Sequence, residues 1–307
     1  MAPPLTLETY NRIVYDTVHT QLVNEKAEEI DITIADFNQV LWHMHTEGGK
    51  LYVSISCKCW DQIRANGGEE YFKKVYGSLM TAPESGYDVT LGITIGKVYP
   101  EADAAKISRL ASRMSRHLLA SVLHKMMDQA TQRQPGGKLV QIDYRPGESV
   151  WFKQDGDRIV VIFSINFDDE DDVVFGRVFL NEFGKNVPGA PACDTYVPHT
   201  RENVTSDPPA ELAGVRGLNA HGYASFLLEA RHYQPTKREN TCDVLLTFRN
   251  YLHYHIKCSK AYLHIRMRSR VTSLLQVLNR ARQEAPVQMG PRQSGGAPKK
   301  VFVRKQA

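Results

Sequence analysis

From residue 242 to residue 282, apolar side chains recur at helical spacing. Leu245, Phe248, Leu252, Ile256, Leu263, Met267, Val271, Leu274 and Leu278 lie three, four or a full two turns apart. That period predicts an amphipathic helix, and no proline or glycine interrupts the chain between Pro235 and Pro286. At ~1.5 Å per residue such a helix is about 60 Å long, several times the usual ~11–12 residues. One domain cannot cover a helix of that length, so part of the stripe is expected to need a partner.

The remaining pattern reads as a rough duplication. Residues 50–60 (KLYVSISCKCW) alternate apolar and polar positions as a half-buried strand does, and residues 158–167 (RIVVIFSINF) form a second, more apolar strand. A short amphipathic helix follows each, over residues 70–79 and 172–183. After a loop, each copy has a Gly-Tyr-led strand, over 86–95 and 222–231, and then a long helix. In the first copy this helix spans about residues 101–131 with Ile107, Leu110, Met114, Leu118, Val122 and Met126 on one stripe. A strand pair is expected around Arg145-Pro146-Gly147-Glu148, and a long surface loop over residues 184–219.

The predicted class is α+β: two similar domains, each an antiparallel sheet packed with helices, the second ending in a very long C-terminal helix. Pro135-Gly136-Gly137 marks the expected boundary. The division is residues 1–137, then 138–285 with the long helix at 240–283, then a basic Gly/Pro/Ser-rich tail at 286–307 that reads as disordered.

Charge sharpens the picture. The net charge is only +4, yet from Val244 onward thirteen Lys and Arg face a single acid, Glu284. Lys257, Lys260, Arg268 and Arg282 fall in one row beside the apolar stripe, and Arg266, Arg270 and Arg280 fall in a row on its other flank. One reading is that these long side chains lay their methylenes along a packed seam. The other is a docking strip for an acidic partner. A nucleic acid is an alternative polyanion, but no base-stacking platform or base-reading motif accompanies the helix.

Chemistry is sparse. Gly92-Ile93-Thr94-Ile95-Gly96-Lys97 is one residue short of a phosphate loop, with Val98 where a Ser or Thr is needed. The acidic run 168–172 lacks the glycine and terminal glutamate of a calcium loop and reads as a helix start. Cys57 and Cys59, two apart, share a strand face as buried thiols, and His255 reads as a hydrogen-bonded packing residue. No metal, cofactor or catalytic set is expected. There is no apolar run of ~18 residues and no apolar signal core near the start, and the five cysteines lack framework spacing. A cytoplasmic, non-enzymatic chain is the expectation.

Four runs then carry a resemblance: FRNYLHYHIKCSKAY at 248–262, VYGSLMTAPESGYDVTL at 75–91, DDVVFGRVFLNEF at 171–183 and NRIVYDT at 11–17. The chain resembles the subunit 2 family of the actin-related protein 2/3 complex, over nearly its whole length. The resemblance implies a scaffold without its own nucleotide, two similar α/β domains, and pairing with subunit 4 through long C-terminal helices. It also implies contact with the other subunits, including the actin-related proteins, and with the mother actin filament during branch nucleation. Leu245, Phe248, Leu252, Ile256 and Leu263 would then face the sheet or a partner helix. Val271, Leu274 and Leu278 would lie against subunit 4. The basic residues Lys257, Lys260, Arg266, Arg268, Arg270, Arg280 and Arg282 become candidates to face actin.

Overall fold

Alternating burial organises two antiparallel sheets of five strands. A computed structural model describes residues 7–36, 39–183, 191–197 and 208–280. The first sheet contains β1 (Asp31–Ala35), β2 (Leu41–Glu47), β3 (Lys50–Ser56), β4 (Met80–Thr81) and β5 (Val89–Thr94). The second contains β6 (Val140–Arg145), β7 (Glu148–Asp155), β8 (Arg158–Ile165), β9 (Ala192–Tyr196) and β10 (Gly222–Leu228). Their spatial orders are β1-β2-β3-β5-β4 and β6-β7-β8-β10-β9. The same order appears twice, so the duplication read from the sequence is a repeat of topology.

The helices are α1 (Arg12–Val23), α2 (Trp60–Ala65), α3 (Gly68–Tyr76), α4 (Glu101–Ser112), α5 (Met114–Thr131), α6 (Glu170–Phe183) and α7 (Arg238–Arg280). α1 packs on α4; α5 packs on α2, α3, β7 and β8; α6 packs on β9 and β10. One core joins both copies, from Trp42, Leu51 and Phe72 to Phe152, Phe163 and Phe226. The fold class is thus as expected, α+β with a long C-terminal helix.

The faces of the two sheets turned away from this core differ. On the second sheet, Trp151, Ile162 and Tyr223 are covered by Leu212 and Ala220, forming a small second core. On the first, His43 and His45 alternate with buried Trp42 and Met44, while Tyr52 and Ser54 alternate with buried Leu51, Val53 and Ile55. That face is polar and aromatic.

Several local expectations are corrected. The first copy's long helix is two: Arg113, at φ −94° and ψ 6°, separates α4 from α5. The apolar period runs on through the break. The interruption coincides with an ion pair from Arg113 to Asp243 of α7, 2.8 Å long, which periodicity cannot register. Cys57 and Cys59 do not share a strand face. β3 ends at Ser56, and Cys59 is the residue before α2, its Sγ 4.0 Å from that of Cys57. The helix expected at residues 70–79 is α3 followed by a 3-10 turn at Gly77–Leu79. Within the stretch read as a loop, Ala192–Tyr196 is an edge strand paired with β10. α1, β1 and β2 are further elements, beyond those the sequence pattern predicts.

Other features follow the local chemistry. Pro146-Gly147 turns β6 into β7, with Gly147 at φ +70°, a conformation costly for other residues. Gly176 of α6 is required because an added Cβ would overlap the Phe167 ring. The acidic run does begin a helix: Glu170, Asp171 and Asp172 occupy the first turn of α6, and Asp169 accepts from the Asp171 N–H at 2.9 Å.

Candidate interaction surface

α7 is one continuous helix whose two parts have different surroundings. The chain divides within this helix into two compact units, residues 1–259 and residues 260–307. In the first unit, Thr241, Cys242, Leu245, Phe248, Arg249, Leu252 and Ile256 are buried. Phe248 sits among Phe163, Phe183 and Phe226, with ring centroids 5.0–5.8 Å away. Polar contacts fix the same stretch. Arg238 reaches Asp128 at 2.7 Å, Asp243 accepts from Arg113 and Arg116 at 2.8 Å, and Arg145 reaches Asn250 at 2.7 Å.

The strongest of these contacts is buried. Arg249 donates from Nε at 2.9 Å and from Nη2 at 2.7 Å to Glu148 at the start of β7, and both side chains are under a tenth exposed. Glu148 also accepts from the Asn166 N–H at 2.8 Å, and Arg249 Nη2 donates to the Asn166 carbonyl at 3.0 Å. Burial lowers the Arg249 pKa, but Glu148 outweighs it and holds the guanidinium protonated, above its ordinary value. A buried bidentate pair of this kind, with Arg249 Nη1 alone left without a partner among the described residues, fixes the register of the helix on the second sheet. A clue was present in the sequence: Arg249 lies four residues after Leu245 and three before Leu252, on the apolar face. A charge there signals a buried partner.

Lys257 is exposed but also paired. Its Nζ lies 2.6 Å from Asp172, a buried carboxylate in the first turn of α6. Sequence reasoning missed this contact because it read the acidic run only as a helix start. His255 packs against aromatic rings, stacked on Phe179 at 5.9 Å and edge-on to Tyr251 at 4.2 Å between centroids. Its Nε2 is buried and has no hydrogen-bond partner among the described residues, contrary to the hydrogen-bonded role expected.

In the second unit the helix has the opposite character. Leu263, Met267, Val271, Leu274 and Leu278 are 44–64% exposed, and Ile265, Leu275 and Val277, which lie off the predicted stripe, are exposed as well. From Met267 the spacing of four, three and four residues is that of a heptad seam. Arg266 donates to the Tyr262 hydroxyl at 2.8 Å, its guanidinium 5.5 Å from the ring centroid. Arg268, Arg270 and Arg280 are exposed, and among the described residues none pairs with a carboxylate. Lys260 is half-buried. Arg282 and the tail lie outside the described residues.

A cavity of about 430 Å³ is lined by Val40, Cys57, Leu118, Tyr144, Phe163 and Arg249, among others. Contact with Cys59 and burial push the Cys57 thiol up; burial and then Glu148 push the Tyr144 phenol up. Both are held protonated, the reverse of an activated nucleophile. Among the described residues, no helix is long and apolar enough to cross a membrane.

Comparison with known proteins agrees with this architecture. Residues 53–285 match the model of the Arp2/3 complex 34 kD subunit, p34-Arc. The chain is 38% identical over 293 residues to actin-related protein 2/3 complex subunit 2 of Dictyostelium discoideum, covering 91% of this chain and 94% of that one. It is 32% identical over 312 residues to the protein of the same name from Schizosaccharomyces pombe, covering 92% and 96%. A match of this extent is decisive: the chain belongs to the p34-Arc family, subunits of the Arp2/3 complex and not enzymes.

Proposed function

We propose that this chain is a scaffold that anchors the Arp2/3 complex to the side of a mother actin filament during branched nucleation. It would act in the cytoplasm as part of the actin cytoskeleton. The observation that carries the reading is residues 260–280 of α7, a stretch without a single acid and with eight large aliphatic side chains exposed. An apolar seam of this kind requires cover. Subunit 4 supplies a helix against Val271, Leu274 and Leu278. Arg266, Arg268, Arg270 and Arg280, with Lys260 and Arg282, supply cations for acidic actin. Lys257 is the weakest of the cation candidates, since Asp172 already holds it.

The duplication supports a division into domains at 1–137 and 138–285, with 286–307 as a tail. Family membership lends nothing to the nucleic-acid reading of the basic helix.

The test separates the two faces of one helix. Arg266→Glu, Arg268→Glu and Arg270→Glu together are expected to leave complex assembly intact and to weaken cosedimentation with filaments at physiological salt. Unchanged filament binding and branching would overturn the docking role. Val271→Ser, Leu274→Ser and Leu278→Ser together should instead lose co-purification with subunit 4.

A further inference from the structure

The polar face of the first sheet carries a side-chain cluster that the scaffold role does not use. His43 and His45 are two apart on β2, so both imidazoles stand on the same face. Glu84, from the connection between β4 and β5, reaches back to them. His43 Nδ1 lies 2.8 Å from one Glu84 oxygen, and His45 Nδ1 lies 3.8 Å from the other. Four rings stack in sequence, Tyr87 on His43, His43 on His45 and His45 on Tyr52, with centroids 5.4, 4.9 and 5.0 Å apart. Stacking fixes both imidazoles with their Nδ1 edges toward the same carboxylate.

We propose that His43, His45 and Glu84 form a binding site for one divalent transition-metal ion of the zinc class. The ligand atoms lie within 4.8 Å of one another. Tetrahedral zinc with bonds of ~2.0–2.1 Å separates its ligands by about 3.3 Å, and the two His–Glu84 distances bracket that value. Two imidazoles and one carboxylate suit a borderline ion and leave a position for water.

Two further observations favour a metal over a simple hydrogen-bond network. His45 Nδ1 is buried, with no hydrogen-bond partner among the described residues. An ion would satisfy it. The outer contacts are also those of a metal centre. His43 Nε2 faces Asp31 at 3.0 Å, so the carboxylate orients the ring and leaves Nδ1 as the ligand, and Ser54 donates to Glu84 at 2.7 Å. Both nitrogens of His43 face carboxylates, Nδ1 that of Glu84 and Nε2 that of Asp31.

The test is zinc titration of the full chain by calorimetry, with cobalt as a spectroscopic probe. Wild type is expected to bind one ion, to melt higher with zinc, and to show tetrahedral cobalt d–d bands without a thiolate charge-transfer band. His45→Ala and Glu84→Gln should each weaken zinc, and Asp31→Asn should cost about 10–100-fold through His43. All three positions are partly exposed, and unchanged melting of the metal-free variants confirms that they fold. Absence of zinc binding, a thiolate band, or equal binding by the His43→Ala/His45→Ala double variant would overturn the site. The last two outcomes would assign the ion to the cysteines or to nonspecific sites.

Discussion

The two parts of α7 share one apolar period but differ in everything that periodicity does not encode. Up to Ile256, the stripe is sealed in the core and framed by ion pairs with β7, α5, α6 and the residue between α4 and α5. From Leu263 onward the same period stands exposed and its flanks hold only cations. A buried stripe needs charged neighbours of both signs to fix its register. A stripe awaiting a partner needs only one sign, complementary to what will meet it. The acids that serve α7 are located accordingly: Glu239 and Asp243 lie on its first turns, and Glu148 and Asp172 on elements beneath its buried part.

The sharpest way to break the comparison is at Glu148. Glu148→Ala leaves a buried guanidinium without its counter-ion and is expected to cost about 3–5 kcal/mol. The double variant Glu148→Leu/Arg249→Met removes both charges and should recover most of that loss, measured by urea unfolding. Failure to recover would mean that the pair contributes net stability as well as register. Leu252→Ala follows, at about 2–5 kcal/mol, as a cavity in the sealed part. If Leu252→Ala cost no more than an exposed substitution, the division of the helix into a covered and an uncovered part would be wrong.

These expectations show what the sequence could and could not convey. The stripe of α7 and strands β3, β8 and β10 were legible because strong local periodicity records which face is apolar. Periodicity does not record what covers that face, so Leu252 and Leu274 looked alike. β2 escaped notice although Trp42 and Met44 alternate with His43 and His45, since only two apolar residues carry its period. β9, with little apolar character in Ala192–Tyr196, is a strand because β10 pairs with it. The break at Arg113 and the Lys257–Asp172 pair are tertiary events between segments far apart in sequence. The histidine cluster became visible only once β2 was a strand and Glu84 had been brought over it.

Acid should act on the anchored part through its first turn. Glu239 bonds to His124 at 3.0 Å and to Arg116 at 2.8 Å, which holds its pKa down to about 2, with the His124 bond the largest cause. A depressed carboxylate contributes stability above its unfolded pKa of ~4.3. That contribution is lost as pH falls from there toward 2. Because Glu239 is more than half exposed, the effect is screened and smaller than the shift alone implies. Glu239→Gln should flatten the dependence of unfolding free energy on pH in this window. An unchanged slope would assign acid sensitivity elsewhere.

The smallest expected effect is the most discriminating. Leu274→Ser replaces a side chain that is 58% exposed in this chain, so nothing in its own fold depends on the contact. Stability of the isolated chain should change by no more than about 0.5 kcal/mol, an order of magnitude below Glu148→Ala. In an assembled complex the same position would be an interface contact, and its loss should appear as faster subunit dissociation. The two measurements must therefore diverge for Leu274 and coincide for Leu252, where the cover is internal. A Leu274→Ser variant that destabilised the isolated chain would place its cover within this protein, and the contrast between the two parts of α7 would collapse.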